Sequence, residues 1–147
     1  GAIFAYVCLE RINLNPENFI ALDWMIPAPA QGAMLVGCNG EDLFSLEAVS
    51  QLNHIETEIC TYIERQFLKT LEGGCTAPIG AIATYNEKED VIDFTGVLFS
   101  IDGKQKLEVS KKVEVSEWKK LGFTCAQEIL NKGGTAVMAE IKEKLKK

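Results

Sequence analysis

The sequence predicts an α+β domain over residues 54–147, built from three antiparallel strands with helices on one face. Three observations carry this. An apolar period of three or four residues runs through Ile55, Ile59, Tyr62/Ile63, Phe67 and Leu71 and stops at a double glycine. Three strand-like runs, 79–85, 91–100 and 104–115, then follow with only short polar turns between them. Two more helix-period segments close the chain, from 116 and from 135. Strands grouped in one block, rather than alternating with helices, argue for an antiparallel sheet.

The chain before residue 54 reads differently. Residues 2–9, Ala-Ile-Phe-Ala-Tyr-Val-Cys-Leu, form a helical pattern apolar on nearly every side. Such a helix is normally buried among partners, a second copy of the chain included. Residues 13–18 with Pro16 predict a turn, 19–25 a short strand, and Pro27-Ala28-Pro29-Ala30-Gln31-Gly32 a stiff, non-helical crossing segment. Residues 33–38 are a short apolar run of the buried-strand kind, closed by the turn Asn39-Gly40-Glu41-Asp42. None of these strands has a partner nearby in sequence, and an isolated strand leaves its backbone groups unpaired. They are expected to be pieces of a sheet whose other strands lie outside this sequence.

From residue 42 each element carries its own signals. A short helix is expected to about 53, and Asn53 with Glu56 has capping-box spacing for the next. Lys69 suits that helix's negative end, and Gly73 and Gly74, free to take positive φ, are expected to end it. Pro78 blocks a helical restart and biases Ala77 toward extended backbone. Asp102-Gly103 predicts a hairpin turn, and Lys106, Lys111 and Lys112 mark an exposed edge or solvent face. Ser116-Glu117 is expected to cap a helix burying Trp118, Leu121, Cys125, Ile129 and Leu130. Asn131-Lys132-Gly133-Gly134 ends it, and Thr135 caps a last helix with Met138, Ile141 and Leu145 inward.

Composition excludes several function classes. A net charge of -6 and a pI near 4.9 argue against general nucleic-acid binding. No apolar run reaches the length of a membrane span, and no secretory leader pattern is present. Five cysteines without C-x-x-C spacing and a single histidine, His54, predict no metal site. They predict free thiols in a reducing compartment, the cytoplasm. Only Arg11 and Arg65 among 15 basic residues are arginines, so a ligand rich in carboxylates would find most of its clamp outside this chain.

Chemistry concentrates after the double glycine. Cys75 sits on a short connection between helix and strand, where it is equally readable as a reactive anchor or as a small packed residue. A cysteine-nucleophile hydrolase needs His54 beside it, yet the two lie at opposite ends of a helix, roughly 25–30 Å apart at 1.5 Å per residue. Three motifs extend the reading. Glu64-Arg65 leads through the helix to Leu71-Glu72-Gly73-Gly74-Cys75 and Pro78-Ile79-Gly80; Ile26-Pro27-Ala28-Pro29-Ala30-Gln31-Gly32-Ala33 lies upstream; Leu52-Asn53-His54 with Thr57 lies between.

Together, in this order and spacing, they resemble the signatures of the hydroxymethylbilane synthase (porphobilinogen deaminase) family, and the resemblance covers essentially the whole chain. It implies the C-terminal half of a three-domain transferase: 1–26 as the end of domain 2, 27–53 as a crossing segment with a strand and helix of domain 1, and 54–147 as the cofactor-carrying domain 3. The first two would be pieces of periplasmic-binding-protein-like α/β domains. In that family a dipyrromethane cofactor is tethered to a cysteine by a thioether, four porphobilinogen units are added with loss of ammonia, and hydrolysis releases a linear tetrapyrrole of the heme pathway. A thiolate is a good nucleophile toward the electrophilic methylene left when ammonia departs.

The resemblance implies Cys75 as the anchor, with Gly73, Gly74 and Arg65 at the cofactor, and Arg11 and Gln31 at the substrate and growing pyrrole chain. The family's catalytic aspartate would lie in the N-terminal half, which is then the fragment's partner and without which it is inactive. Two departures stand out: Asn39 occupies a position where many members carry arginine, and Pro29-Ala30 replaces the commoner Val-Gly, which stiffens the crossing. The alternative class is a non-catalytic α+β binding or assembly domain in which Cys75 is merely packed.

Overall fold

The protein is described here by a computed structural model covering residues 2–14, 17–74 and 77–145. Its elements run α1 (Tyr6–Arg11), α2 (Leu43–Ser50), α3 (Ile55–Thr70), β1 (Ile79–Asn86), β2 (Val91–Phe99), β3 (Lys106–Glu114), a 3-10 turn (Val115–Lys120), α4 (Leu121–Ile129) and α5 (Thr135–Leu145). The strands form one antiparallel sheet in the order β1-β2-β3, with Ile79 opposite Leu98 and Val91 opposite Glu114. The α+β architecture is as the sequence predicts.

Strand alternation explains the layering. Ala81 and Ala83 of β1, Ile92, Phe94 and Leu98 of β2, and Val109 of β3 share the face that meets the helices. Against them α3 lays Ile63, Phe67 and Leu71; α4 adds Leu121, Cys125 and Ile129; α5 adds Met138 and Ile141. The Phe67 ring sits over Gly96, where a Cβ would lie 2.6 Å from it, and meets Phe94 edge-on with centroids 5.3 Å apart. Cys125 is fully buried, and burial pushes its thiol up to about 11, so it behaves as a small hydrophobe.

Helices α3 and α4 touch backbone to backbone at Gly122, where a Cβ would stand 2.2 Å from the Ile63 carbonyl oxygen. Gln66 fastens the same crossing: its Oε1 accepts from the Phe123 N–H at 2.9 Å and its Nε2 donates to the Lys119 carbonyl at 3.1 Å. Ser116 and Glu117 therefore do not cap a helix as expected; the chain passes through the 3-10 turn, and Gln66 serves the opening of α4 instead. Gly133, at φ 106, separates α4 from α5, so both glycine-marked helix ends fall where the sequence places them. The side chain of Leu145 and residues 146–147 lie outside the described part.

Several expectations for the region before residue 54 are corrected. The apolar opening forms only the short helix α1, with no buried residue, and neither 19–25 nor 33–38 is a strand. Met34 is 94% and Leu35 91% exposed. The reason is the absence, among the described residues, of any neighbouring strand to take their backbone hydrogen bonds. Residues 15 and 16 of the expected 13–18 turn lie outside the described part. The cap of α3 also shifts by one residue: His54, not Asn53, accepts from the Thr57 N–H through Nδ1 at 3.4 Å, and Asn53 instead donates to Glu58 at 2.6 Å.

Substituting Gly122→Ala should destabilise the domain by about 1–3 kcal/mol, the usual cost of overpacking, despite alanine's higher helix propensity. A urea-unfolding midpoint that stays unchanged would mean the helices can separate there at no cost.

Candidate functional site

The connection from α3 to β1 is built from the helix end outward. Leu71 closes α3, and Glu72 follows in the left-handed region at φ 55. Its N–H donates to the Lys69 carbonyl at 3.0 Å while the Gly73 N–H reaches the Leu68 carbonyl at 3.1 Å, the paired bonds of a Schellman motif. The sequence places positive φ on the double glycine; the structure places it on Glu72. Gly73 is needed for space instead: a Cβ there would lie 2.4 Å from Ile79 Cδ1 and 2.8 Å from Leu68 Cδ1. Beside Gly74 none of the described residues stands within 4 Å of where a Cβ would be.

Cys75, the predicted anchor, lies outside the described residues together with Thr76. Their flanks are held firmly. The Ala77 N–H donates to the Gly74 carbonyl at 3.1 Å, and the Phe99 N–H takes the Pro78 carbonyl at 3.0 Å. On the other side Glu72 pairs with Lys142 of α5, which holds its carboxyl below the ordinary range. Both edges of the connection are thus fixed to the domain, one through a helix cap and one through the sheet.

A second locus forms along the middle of α3. Glu64 is 7% exposed, the single buried charged residue among those described. One carboxylate oxygen accepts from the Ala83 N–H on the free edge of β1 at 2.8 Å, and the other from the Ala30 N–H at 2.6 Å. The Pro27 carbonyl takes the neighbouring edge donor, the Ala81 N–H, at 2.9 Å. These three bonds lay the crossing segment along an edge that would otherwise be open. Burial raises the Glu64 carboxyl above its ordinary value even though both hydrogen bonds lower it.

Gln31 sits just beyond, in two successive turns. Its N–H donates to Ala28 and the Ala33 N–H to Ala30, with Ala30 at φ 59 and Gly32 at φ 85. Positive φ at the third position of the first turn favours glycine, and an alanine there costs about 1–2 kcal/mol. Pro29 at the second position presets the turn and offsets part of that cost. Beside them opens a groove of ≈ 540 Å³ that Gln31 shares with Cys60, Glu64 and Thr84. No lysine or arginine lines it among the described residues, so it offers no clamp for carboxylates. The Cys60 thiol, raised by burial and then by Glu64, is a poor nucleophile.

The remaining predicted residues stand apart. Arg65 is exposed on α3, apart from Glu64, whose oxygens are both taken by backbone donors. Arg11 is exposed in the last turn of α1. Neither has an ion pair among the described residues. Gln31 borders the middle of α3 near Glu64, whereas Gly73 follows its C-terminal end; the helix rises about 9 Å between residues 64 and 70. Sequence reasoning passed over Glu64 as a structural group. Its signal was there, because Cys60, Glu64, Phe67 and Leu71 form one inward stripe at helical spacing and a carboxylate within such a stripe needs partners.

Comparison with known proteins is specific. A sequence model of the porphobilinogen deaminase C-terminal domain matches residues 58–131. The chain is 35% identical over 145 residues to a protein of Carboxydothermus hydrogenoformans named porphobilinogen deaminase, covering 97% of this chain and 46% of that one. Likeness to the Thermus thermophilus protein of the same name is 32% over 144 residues, with 97% and 48% covered. For the chloroplastic porphobilinogen deaminase of Pisum sativum it is 34% over 138 residues, with 91% and 37% covered. The chain spans about half the length or less of these relatives.

Replacing Glu64 by Gln keeps one acceptor and turns the other oxygen into an NH2 that faces a backbone N–H. The orphaned donor should cost about 1–3 kcal/mol at neutral pH. Because the native carboxyl titrates above its ordinary 4.5, its contribution to stability is full below 4.5 and is lost as pH rises through the raised native value. The native protein should therefore gain on the Glu64→Gln variant as pH falls from neutral toward 4.5. Urea titrations of both proteins across that window check the sign; a difference that shrinks on acidification would contradict it.

Proposed function

This chain belongs to the porphobilinogen deaminase family, and from that premise we propose that it is the C-terminal, cofactor-carrying part of such a transferase. The observation that supports this most is the Gly73-Gly74-Cys75 connection, set on a tied segment between α3 and β1 and inside the span matched by the family's C-terminal domain. Residues 54–147 form domain 3, residues 27–53 cross into domain 1, and residues 1–26 end domain 2. The exposed apolar side chains Ile3, Phe4, Met34 and Leu35 support that division, since surfaces of this kind are covered in a finished protein. Their cover is the N-terminal half of the same protein.

In this reading Cys75 holds a dipyrromethane through a thioether, and that group, when bound, supplies the pyrrole end onto which porphobilinogen units are added. What this chain contributes is anchorage and placement. Gly73 keeps the start of the loop pressed onto Ile79 and Leu68, and Gly74 places no side chain next to the cysteine. Arg65 and Arg11, both exposed and unpaired among the described residues, are free to meet carboxylates. Gln31 offers a neutral amide at the groove. No lysine or arginine lines the groove among the described residues, which supports placing most of the clamp for the acetate and propionate groups, like the catalytic aspartate, in the N-terminal half. Among the described residues no helix is long and apolar enough to cross a membrane; five cysteines without C-x-x-C spacing are what support the cytoplasm as the compartment.

Intact mass of the holo full-length enzyme should exceed the apo mass by one dipyrromethane, and Cys75→Ser should abolish the gain; the same gain in the mutant would sink the assignment. The 147-residue chain alone should form no bilane from porphobilinogen, as followed by ammonia release. Turnover by the isolated chain would show that the chemistry does not reside in the other half.

A further inference from the structure

Lys142 lies outside the span matched by the family's C-terminal domain, yet it reaches the cysteine-bearing connection. Glu72, three residues before Cys75, is a non-glycine residue held at positive φ, in the helix-ending position where glycine is the ordinary choice. A side chain there carries backbone strain that the surrounding structure has to offset. The single partner of the Glu72 carboxylate among the described residues is the Lys142 ammonium, 70 residues away on α5. Helix α5 is itself set by Gly133 at φ 106 and anchored in the core by Met138 and Ile141. The pair therefore joins a rigid helix to the one residue whose backbone conformation decides how the chain leaves α3.

We propose that Lys142 is a positioning residue for the tether: by holding Glu72 it fixes the direction in which the chain approaches Cys75. This rests on the function proposed above. Among the described residues Lys142 donates its hydrogen bond to Glu72. It works through Glu72, whose left-handed geometry brings the Gly73 N–H onto the Leu68 carbonyl and lays Gly73 against Ile79. The carboxyl of Glu72 is held below the ordinary range by this same ammonium, in keeping with an ion pair that persists at neutral pH. Without Lys142 the cap opens more often, and the tether starts from a broader set of directions.

The test uses the full-length holoenzyme. Lys142→Met keeps the length of the side chain and removes its charge. Amide exchange at Gly73 should quicken about two- to fivefold, the range expected of a surface ion pair, and kcat should fall by a similar factor with KM and holo mass unchanged. Lys142→Arg should restore both. In a Glu72→Gly background, where glycine takes the left-handed conformation unaided, Lys142→Met should change neither. Equal exchange at Gly73 in parent and Lys142→Met, or an undiminished effect in the Glu72→Gly background, overturns the proposal. So does quickened exchange with kcat unaltered, which would leave Lys142 a stabilising residue only. A holo mass lacking the dipyrromethane would instead defeat the assignment of Cys75, and the exchange measurement would still report whether Lys142 holds the cap.

Discussion

One carboxylate organises the boundary between the two unlike parts of this chain. The edge of β1 presents N–H groups that need acceptors, and the crossing segment presents another at Ala30. Glu64 answers two of them from a position on α3 that is otherwise apolar. A carboxylate that accepts two hydrogen bonds away from water is tolerable; one that loses either is costly. The register of helix against sheet edge and the course of the 27–33 segment are therefore tied to the same side chain. Both of the predicted functional loci, Gln31 and the Gly73-Gly74-Cys75 connection, hang on α3.

The domain after residue 54 was legible because each of its elements is locally consistent. The alternation in 79–115 and the three-to-four period ending at Leu71 are read from residue types alone, and their tertiary packing agrees with them. Errors arose where one residue does another's expected work. Gln66 serves the start of α4 from a different helix, and Glu72 takes a conformation that the neighbouring glycines could have taken. Gln66 acts across 57 positions and the Glu72 carboxylate meets a lysine 70 positions away, contacts that no local pattern contains. The strands expected at 19–25 and 33–38 failed for a related reason: apolar character shows that a segment wants cover, and only a neighbouring strand makes it a strand.

The functional loci were legible to different depths. Spacing between glycine, cysteine and proline singled out the 73–80 connection, and the motif around Gln31 singled out the turn that faces Glu64. What spacing does not carry is electrostatic context. Among the described residues no lysine or arginine lines the Gln31 groove, and Arg65 is exposed outside it. Two arginines in 147 residues already indicated a shortage of carboxylate clamps, and the geometry agrees by keeping both of them apart from the groove.

The bond between the Ala77 N–H and the Gly74 carbonyl has a mechanical consequence. Only two residues lie between its ends, and a peptide chain extends at most about 3.5 Å per residue. The two described flanks are thereby closed on each other and move together. Under the proposed function, larger displacements fall to the 54–147 unit as a whole, moving like a carriage with its load fixed. Its coupling would then be the 27–33 crossing, whose attachments to the unit include a Glu64 carboxylate and a Pro27 carbonyl.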